Sequence, residues 1–158
     1  MSNTEQLARR AMIFEQRAIP AWFEHVDRAL CDLFIGLDLG LAPTVLVAEC
    51  RTGYLVSQLL EVISDKARLM VVDSAGEMLD VARRRLASAK RSIFYSTQST
   101  HKLSYADGVF HAVLSSAGLL TRSDLQLAGS ELLRVLRPEG YIALAVPLRG
   151  TFGLVTEL

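Results

Sequence analysis

The chain has 158 residues, 51% hydrophobic and 22% charged, which describes one globular domain able to bury about two-thirds of its unfolded surface. Lys plus Arg and Asp plus Glu each number 17, and that balance argues against a nucleic-acid or anionic-membrane binder. Two cysteines are too few for a disulfide framework, no apolar run reaches the roughly 18 residues of a membrane span, and "MSNTEQLARR" has no signal-peptide core, so a reducing cytoplasm is the expected location. The "RRR" run at 83–85 reads as a solvated helix face.

In chain order, Ser2 and Glu5 fit a capping box for a first helix. Its face is carried by Leu7, Ala11, Phe14 and Ala18. Pro20 suits the first turn of a second helix, with Trp22, Val26, Ala29, Leu33 and Leu37 as its apolar stripe and Gly36 and Gly40 at its end. From Thr44 the texture changes. "TVLVA" at 44–48 is a short, continuously apolar strand, followed by Leu55, Leu59, Leu60 and Ile63 at helical spacing. "RLMVV" at 68–72 is a second strand, and Met78, Leu79, Ala82 and Leu86 mark another helix. "SIFYS" at 92–96 and "FHAVLSS" at 110–116 are the third and fourth strands. Leu125, Leu132, Leu133 and Leu136 carry a last crossover helix, ended by "RPEG" at 137–140, and "YIALAVPL" is the fifth strand.

Strands alternating with helices predict βαβ units and a mainly parallel sheet. Continuous apolar strands require cover on both faces. The expected fold is therefore α/β: a three-layer, doubly wound sheet of about five strands. Residues 1–40 form a helical lead-in packed on a core spanning 41–158, in a single domain. Ligands of such sheets bind beyond the carboxyl ends of the strands. That directs attention to "VLVAECRTGYL" at 45–55, the loop after the first strand, and to Asp73, which closes the second. Asp73 reads equally as a ligand contact or as a cap for the following helix. Cys50 sits near a helix start that would lower its pKa, although a structural role is the simpler reading. The three histidines share no metal-ligand spacing with the cysteines. Ser115 and Ser116 lack the Gly-x-Ser-x-Gly elbow of a hydrolase.

Four segments in order resemble the class I S-adenosylmethionine-dependent methyltransferases. "VLVAECRTGYL" resembles their glycine-rich first motif, and "VVDSAGEMLDVARRRL" their second-strand acid with its helix. "LSYADGVFHAVLSSAGLL" resembles the segment entering strand four. "ELLRVLRPEGYIALAV" resembles the turn before strand five. The likeness runs from about residue 44 to 152 and implies a Rossmann-like methyltransferase core. It places Glu49, Arg51, Gly53, Asp73, Ser74 and Ser99 at cofactor-binding positions, with no catalytic residue and no metal assigned.

The departures carry as much information. The acid that usually ends the first strand is Val47 here. Of the three glycine positions, two hold Glu49 and Arg51, and only Gly53 remains. Glycine is needed where φ is positive or the backbone must touch a ligand. Arg51 would put a long side chain in the cofactor's place, or would bind an anion at a helix N-terminus. The position near the adenine amine falls at about Ser99, and His111 replaces the Asp before strand four. Three lost ligand hydrogen bonds weaken binding roughly a hundredfold or more. The expected function is a degenerate methyltransferase-like domain with no cofactor, serving as an interaction or assembly module. The alternative is an active, divergent S-adenosylmethionine methyltransferase acting on a small molecule or carrier-bound acid. The sequence ends at "GTFGLVTEL", without the family's last two strands. An open apolar edge at 141–146 then calls for a second copy or another protein to cover it.

Overall fold

The structure, a computed structural model, describes residues 3–116 and 122–146. Ser2 of the expected capping box, the Leu7 side chain and everything after residue 146 lie outside the described residues. The five strands are β1 (Thr44–Ala48), β2 (Arg68–Asp73), β3 (Ser92–Thr97), β4 (Phe110–Ser116) and β5 (Leu136–Ala145). They form one sheet in the order β3-β2-β1-β4-β5, and every neighbouring pair is parallel. The crossover helices are α3 (Tyr54–Val62), α4 (Gly76–Arg85) and α5 (Arg122–Val135).

Alternate residues of β1 face opposite layers, which is why its whole length is apolar. Val45 and Val47 join Leu69, Val71 and Leu114 beneath α3 and α4, through Leu55, Leu59, Leu79 and Ala82. Leu46 and Ala48 face the other way, with Val72 and Val113, onto Ala128, Leu132 and Val135 of α5. The doubly wound, three-layer sheet read from the sequence is the fold observed. Strand order reverses between β1 and β4, so the carboxyl ends of these two strands flank the crevice where such sheets bind ligands.

The lead-in departs from expectation in its phase. It is a nearly continuous helical run: α1 (Asn3–Ile13), a π-helical segment (Phe14–Phe23) and α2 (Glu24–Asp32). Pro20 lies inside the π segment instead of opening a new helix. Glu24 N–H bonds the Ile19 carbonyl, five residues back, and these wider turns shift the phase of α2. The buried face of α2 is accordingly Asp27, Leu30 and Cys31, while Leu33 of the expected stripe is 62% exposed. Leu30, Cys31, Phe34 and Leu39 belong to the same core cluster as the α3 side of the sheet.

β5 also starts earlier than expected. Residues 137–140 do not end the helix but belong to the strand, entered through a register shift between Phe110 and Ala112. Glu139 there has φ +60°, the kink a bulge needs. Among the described residues β5 is the outermost strand on its side. No helix among them is long and apolar enough to cross a membrane.

Candidate functional site

The loop that leaves β1 is left-handed at all three positions of a glycine motif, with a glycine at only one of them. Glu49 has φ +53°, Arg51 φ +50° and Gly53 φ +80°, so all three are left-handed. That conformation costs a non-glycine residue roughly 1–2 kcal/mol. Three hydrogen bonds from backbone N–H groups hold it, two to carbonyls and one to a carboxylate. Cys50 N–H donates to the Val72 carbonyl at 3.1 Å and Gly53 N–H to the Cys50 carbonyl at 2.9 Å. Arg51 N–H donates to Asp73 Oδ2 at 2.7 Å.

Asp73 is buried at the end of β2. Its other oxygen, Oδ1, accepts from Ala75 N–H at 2.9 Å, just ahead of α4. Both oxygens thus bond the chain's own backbone, one on each side of the crossing between the β1 loop and the approach to α4, whose N-cap is Ala75 without a side-chain cap bond. Glu49 turns towards the loop after β3, where its Oε1 accepts from the Thr100 hydroxyl at 2.8 Å. Burial raises the Glu49 pKa, against the lowering effect of that hydrogen bond. At the third expected position the neighbouring residues differ in what they reach. Buried Thr100 reaches the loop, while exposed Ser99 caps its own turn by accepting from His101 N–H at 3.2 Å. Ser74 is exposed. Cys50 is buried, and burial first, then Asp73, push its thiol well above the ordinary range, which describes a structural thiol.

Arg51 neither lies on the surface nor faces the start of α3. Its side chain, partly buried, crosses from the end of β1 to the end of β4. Nη1 donates to the Ser116 carbonyl and, at 3.3 Å, to the Ser116 hydroxyl. The guanidinium lies 4.3 Å from the Phe23 ring centroid and 5.6 Å from that of Phe14, within cation–π range. Asp27 of α2, only 3% exposed, supplies negative charge to it. Burial pushes the Asp27 pKa up to about 6, against the opposing effects of a Ser116 hydrogen bond and the Arg51 charge. A second arginine ties the lead-in to the same loop: Arg85 donates through Nε to the Thr52 carbonyl at 3.0 Å and pairs with Glu15.

The structure therefore brings Glu49, Arg51, Gly53 and Asp73 together and leaves Ser74 and Ser99 outside. Phe23, Asp27 and Thr100 were not singled out from the sequence, and Phe14 and Ser116 were read there only as a helix face and a rejected hydrolase serine. The expected stripe through Val26, Ala29 and Leu33 put Asp27 off the apolar face, whereas the observed phase buries it with Leu30 and Cys31. No cluster of His, Cys, Asp and Glu suited to a metal occurs among the described residues.

Comparison with known proteins agrees with the fold. The profile of a family described as methyltransferase domain matches residues 45–140, and the chain belongs to that family. It is 30% identical over 115 residues to an uncharacterized protein of Mycobacterium tuberculosis, covering 72% of this chain and 42% of that one. It is 32% identical over 125 residues to the demethylmenaquinone methyltransferase of Thermus thermophilus, covering 77% of this chain and 56% of that enzyme. The chain thus spans about half the length of these curated relatives. The crystal structure of a putative S-adenosyl-L-methionine-dependent methyltransferase from Methanococcus maripaludis superposes with a TM-score of 0.69 at 15% identity. That match covers 97% of this chain and 68% of the other.

Three features of the chain bear on the cofactor that this fold implies. The Arg51 side chain spans the crevice between β1 and β4. Both Asp73 oxygens are engaged within the chain. Val47, at the position of the family's acid, is wholly buried among the apolar residues beneath α3 and α4.

Proposed function

We propose that this chain is a methyltransferase-family domain that does not transfer methyl groups and serves as an interaction or assembly module. The observation that carries this reading is the Arg51 side chain, laid across the crevice between β1 and β4 and held by Ser116, Phe23 and Phe14. A cofactor entering there must first displace a guanidinium that already has its partners. Calorimetric titration with S-adenosylmethionine and S-adenosylhomocysteine tests it. Little or no binding is expected, and low-micromolar affinity overturns it. The assembly arm rests on β5, outermost among the described strands with Tyr141 exposed. A second copy covering that edge would give a twofold dimer. Light scattering that returns a monomer mass at tens of micromolar, on the order of ordinary assay concentration, removes the self-association arm.

A second reading, an active divergent methyltransferase acting on a small molecule or carrier-bound acid, has the enzyme-named relatives and one structural observation in its favour. Glu49 and Arg51 keep the left-handed backbone of the glycine positions, so the loop retains its shape. The Thermus relative is named as an enzyme acting on demethylmenaquinone, which sets the kind of substrate this reading would require. If the two side chains alone close the crevice, the Glu49→Gly/Arg51→Gly double variant should gain S-adenosylmethionine affinity. A folded double variant with no gain places the obstacle elsewhere, for example at Val47.

A further inference from the structure

The groups around the Arg51 guanidinium do not come from the glycine loop. Phe14 and Phe23 belong to the π segment, Asp27 to α2, and Ser116 to the end of β4. They present two ring faces at 4.3 and 5.6 Å, a carbonyl and a hydroxyl that accept from Nη1, and a carboxyl that is 3% exposed. Asp27 Oδ1 has no hydrogen-bond partner among the described residues. Aromatic faces, inward acceptors and a buried acid are what recognise a flat, delocalised cation. The chain maintains this arrangement although the Arg51 backbone sits at φ +50°, where arginine is strained, and although burial opposes the guanidinium charge.

We propose that Phe14, Phe23, Asp27 and Ser116 form a binding box for a guanidinium-sized organic cation, with Arg51 as its tethered occupant. In the intact chain the short tether gives Arg51 an effective concentration that free cations do not match. Occupancy pins the π segment and α2 over the carboxyl ends of β1 and β4. This deepens the non-catalytic reading and rests on it for its meaning, since it says what fills the crevice. Its test uses no S-adenosylmethionine, so the two stand or fall separately.

Arg51→Gly removes the occupant and relieves the strained backbone. At pH 8, with Asp27 ionised, methylguanidinium chloride should raise the thermal midpoint of this variant saturably. The half-effect should fall on the order of millimolar, the range open to a ligand of so few atoms. Sodium chloride at equal ionic strength and methylurea, a neutral molecule of similar shape, should not reproduce the rise. Nor should the intact chain or the Asp27→Asn/Arg51→Gly variant respond. A folded Arg51→Gly protein with no saturable, charge-specific response overturns the box. If that variant does not fold, the intact chain carries the test by NMR. The Arg51 side-chain N–H signals should then be shielded by the Phe23 ring and slow to exchange, and solvent-like signals overturn the proposal.

Discussion

The two ends of the loop after β1 use the same backbone conformation for different reasons. At Gly53 a Cβ would lie 2.9 Å from the Ala82 Cβ and 3.1 Å from its Cα. Glycine is needed there because α4 packs on it, with or without a ligand. At Glu49 and Arg51 the backbone is equally left-handed, yet the space beyond the Cα atoms accommodates side chains that bond Thr100 and Ser116. The fold demands only a conformation at these two places. A ligand lying against the loop would demand the absence of a side chain as well. The difference separates what the sheet requires, met at Gly53, from what a cofactor would require; on the non-catalytic reading proposed above, the chain meets the first set of demands alone.

The largest effect should come from the packed end. Gly53→Ala combines the left-handed penalty with a clash against a helix backbone, so a loss of about 3 kcal/mol or more is expected in chemical denaturation. A near-neutral result would mean that α4 can shift away, and the distinction between the two ends would fail.

Next comes the charge that the lead-in brings to the open end. The Asp27 pKa is pushed up from 3.8 to about 6, so the folded chain holds this proton more tightly than the unfolded one. Asp27's contribution is fully present below about pH 4, is lost as pH rises through about 6, and is flat above that. The size is about 2–3 kcal/mol. Glu49 titrates in the same direction. Glu131, held down at about 2 by Arg134 and the Leu103 N–H, works in the opposite one. The useful quantity is therefore the difference between the intact chain and Asp27→Asn across pH 4 to 7. A pH-independent difference would mean that Asp27 is solvated.

Smaller again is Arg51→Gly measured without added cation. It loses the ring and Ser116 contacts and leaves Asp27 without its nearby positive charge, but it relieves one strained residue. A net loss on the order of 1–2 kcal/mol is expected at neutral pH. A gain in stability would show that the guanidinium contributes nothing in the crevice.

How far the sequence could be read obeys the same division. β1 and β4 match their apolar runs residue for residue, because strands buried on both faces leave little to blur the pattern; β2 and the half-exposed edge strand β3 each extend one residue further. Gly53 and Asp73 were legible for the same reason: each sits where a strand must hand over to a helix. The site itself was only half legible. Arg51 could be seen to be out of place, but not where its side chain goes. That depends on Phe23 and Asp27, whose facing is set by a π segment that propensity and periodicity do not announce. Pro20, which read as a helix start, is accommodated inside that segment. The early start of β5 was hidden in a similar way, by a bulge at Glu139 in a turn that reads as a helix stop.

The smallest effect belongs to Glu49, and its smallness is informative. Glu49→Gly should relieve roughly 1 kcal/mol of left-handed strain and forfeit a hydrogen bond worth about as much, so the net change should stay within about 1 kcal/mol. The two contributions separate in a Thr100→Val background. There the hydroxyl that bonds Glu49 Oε1 at 2.8 Å is already gone, and a carboxyl whose pKa burial raises is left without that partner. Glu49→Gly should then be plainly stabilising, and a double-mutant cycle should give a coupling of about 1 kcal/mol between positions 49 and 100. Zero coupling would mean that the Thr100 bond does nothing to hold Glu49. The left-handed backbone at residue 49 would then be maintained by the Cys50–Val72 and Arg51–Asp73 bonds alone. In that case Glu49→Gly should stabilise both backgrounds equally.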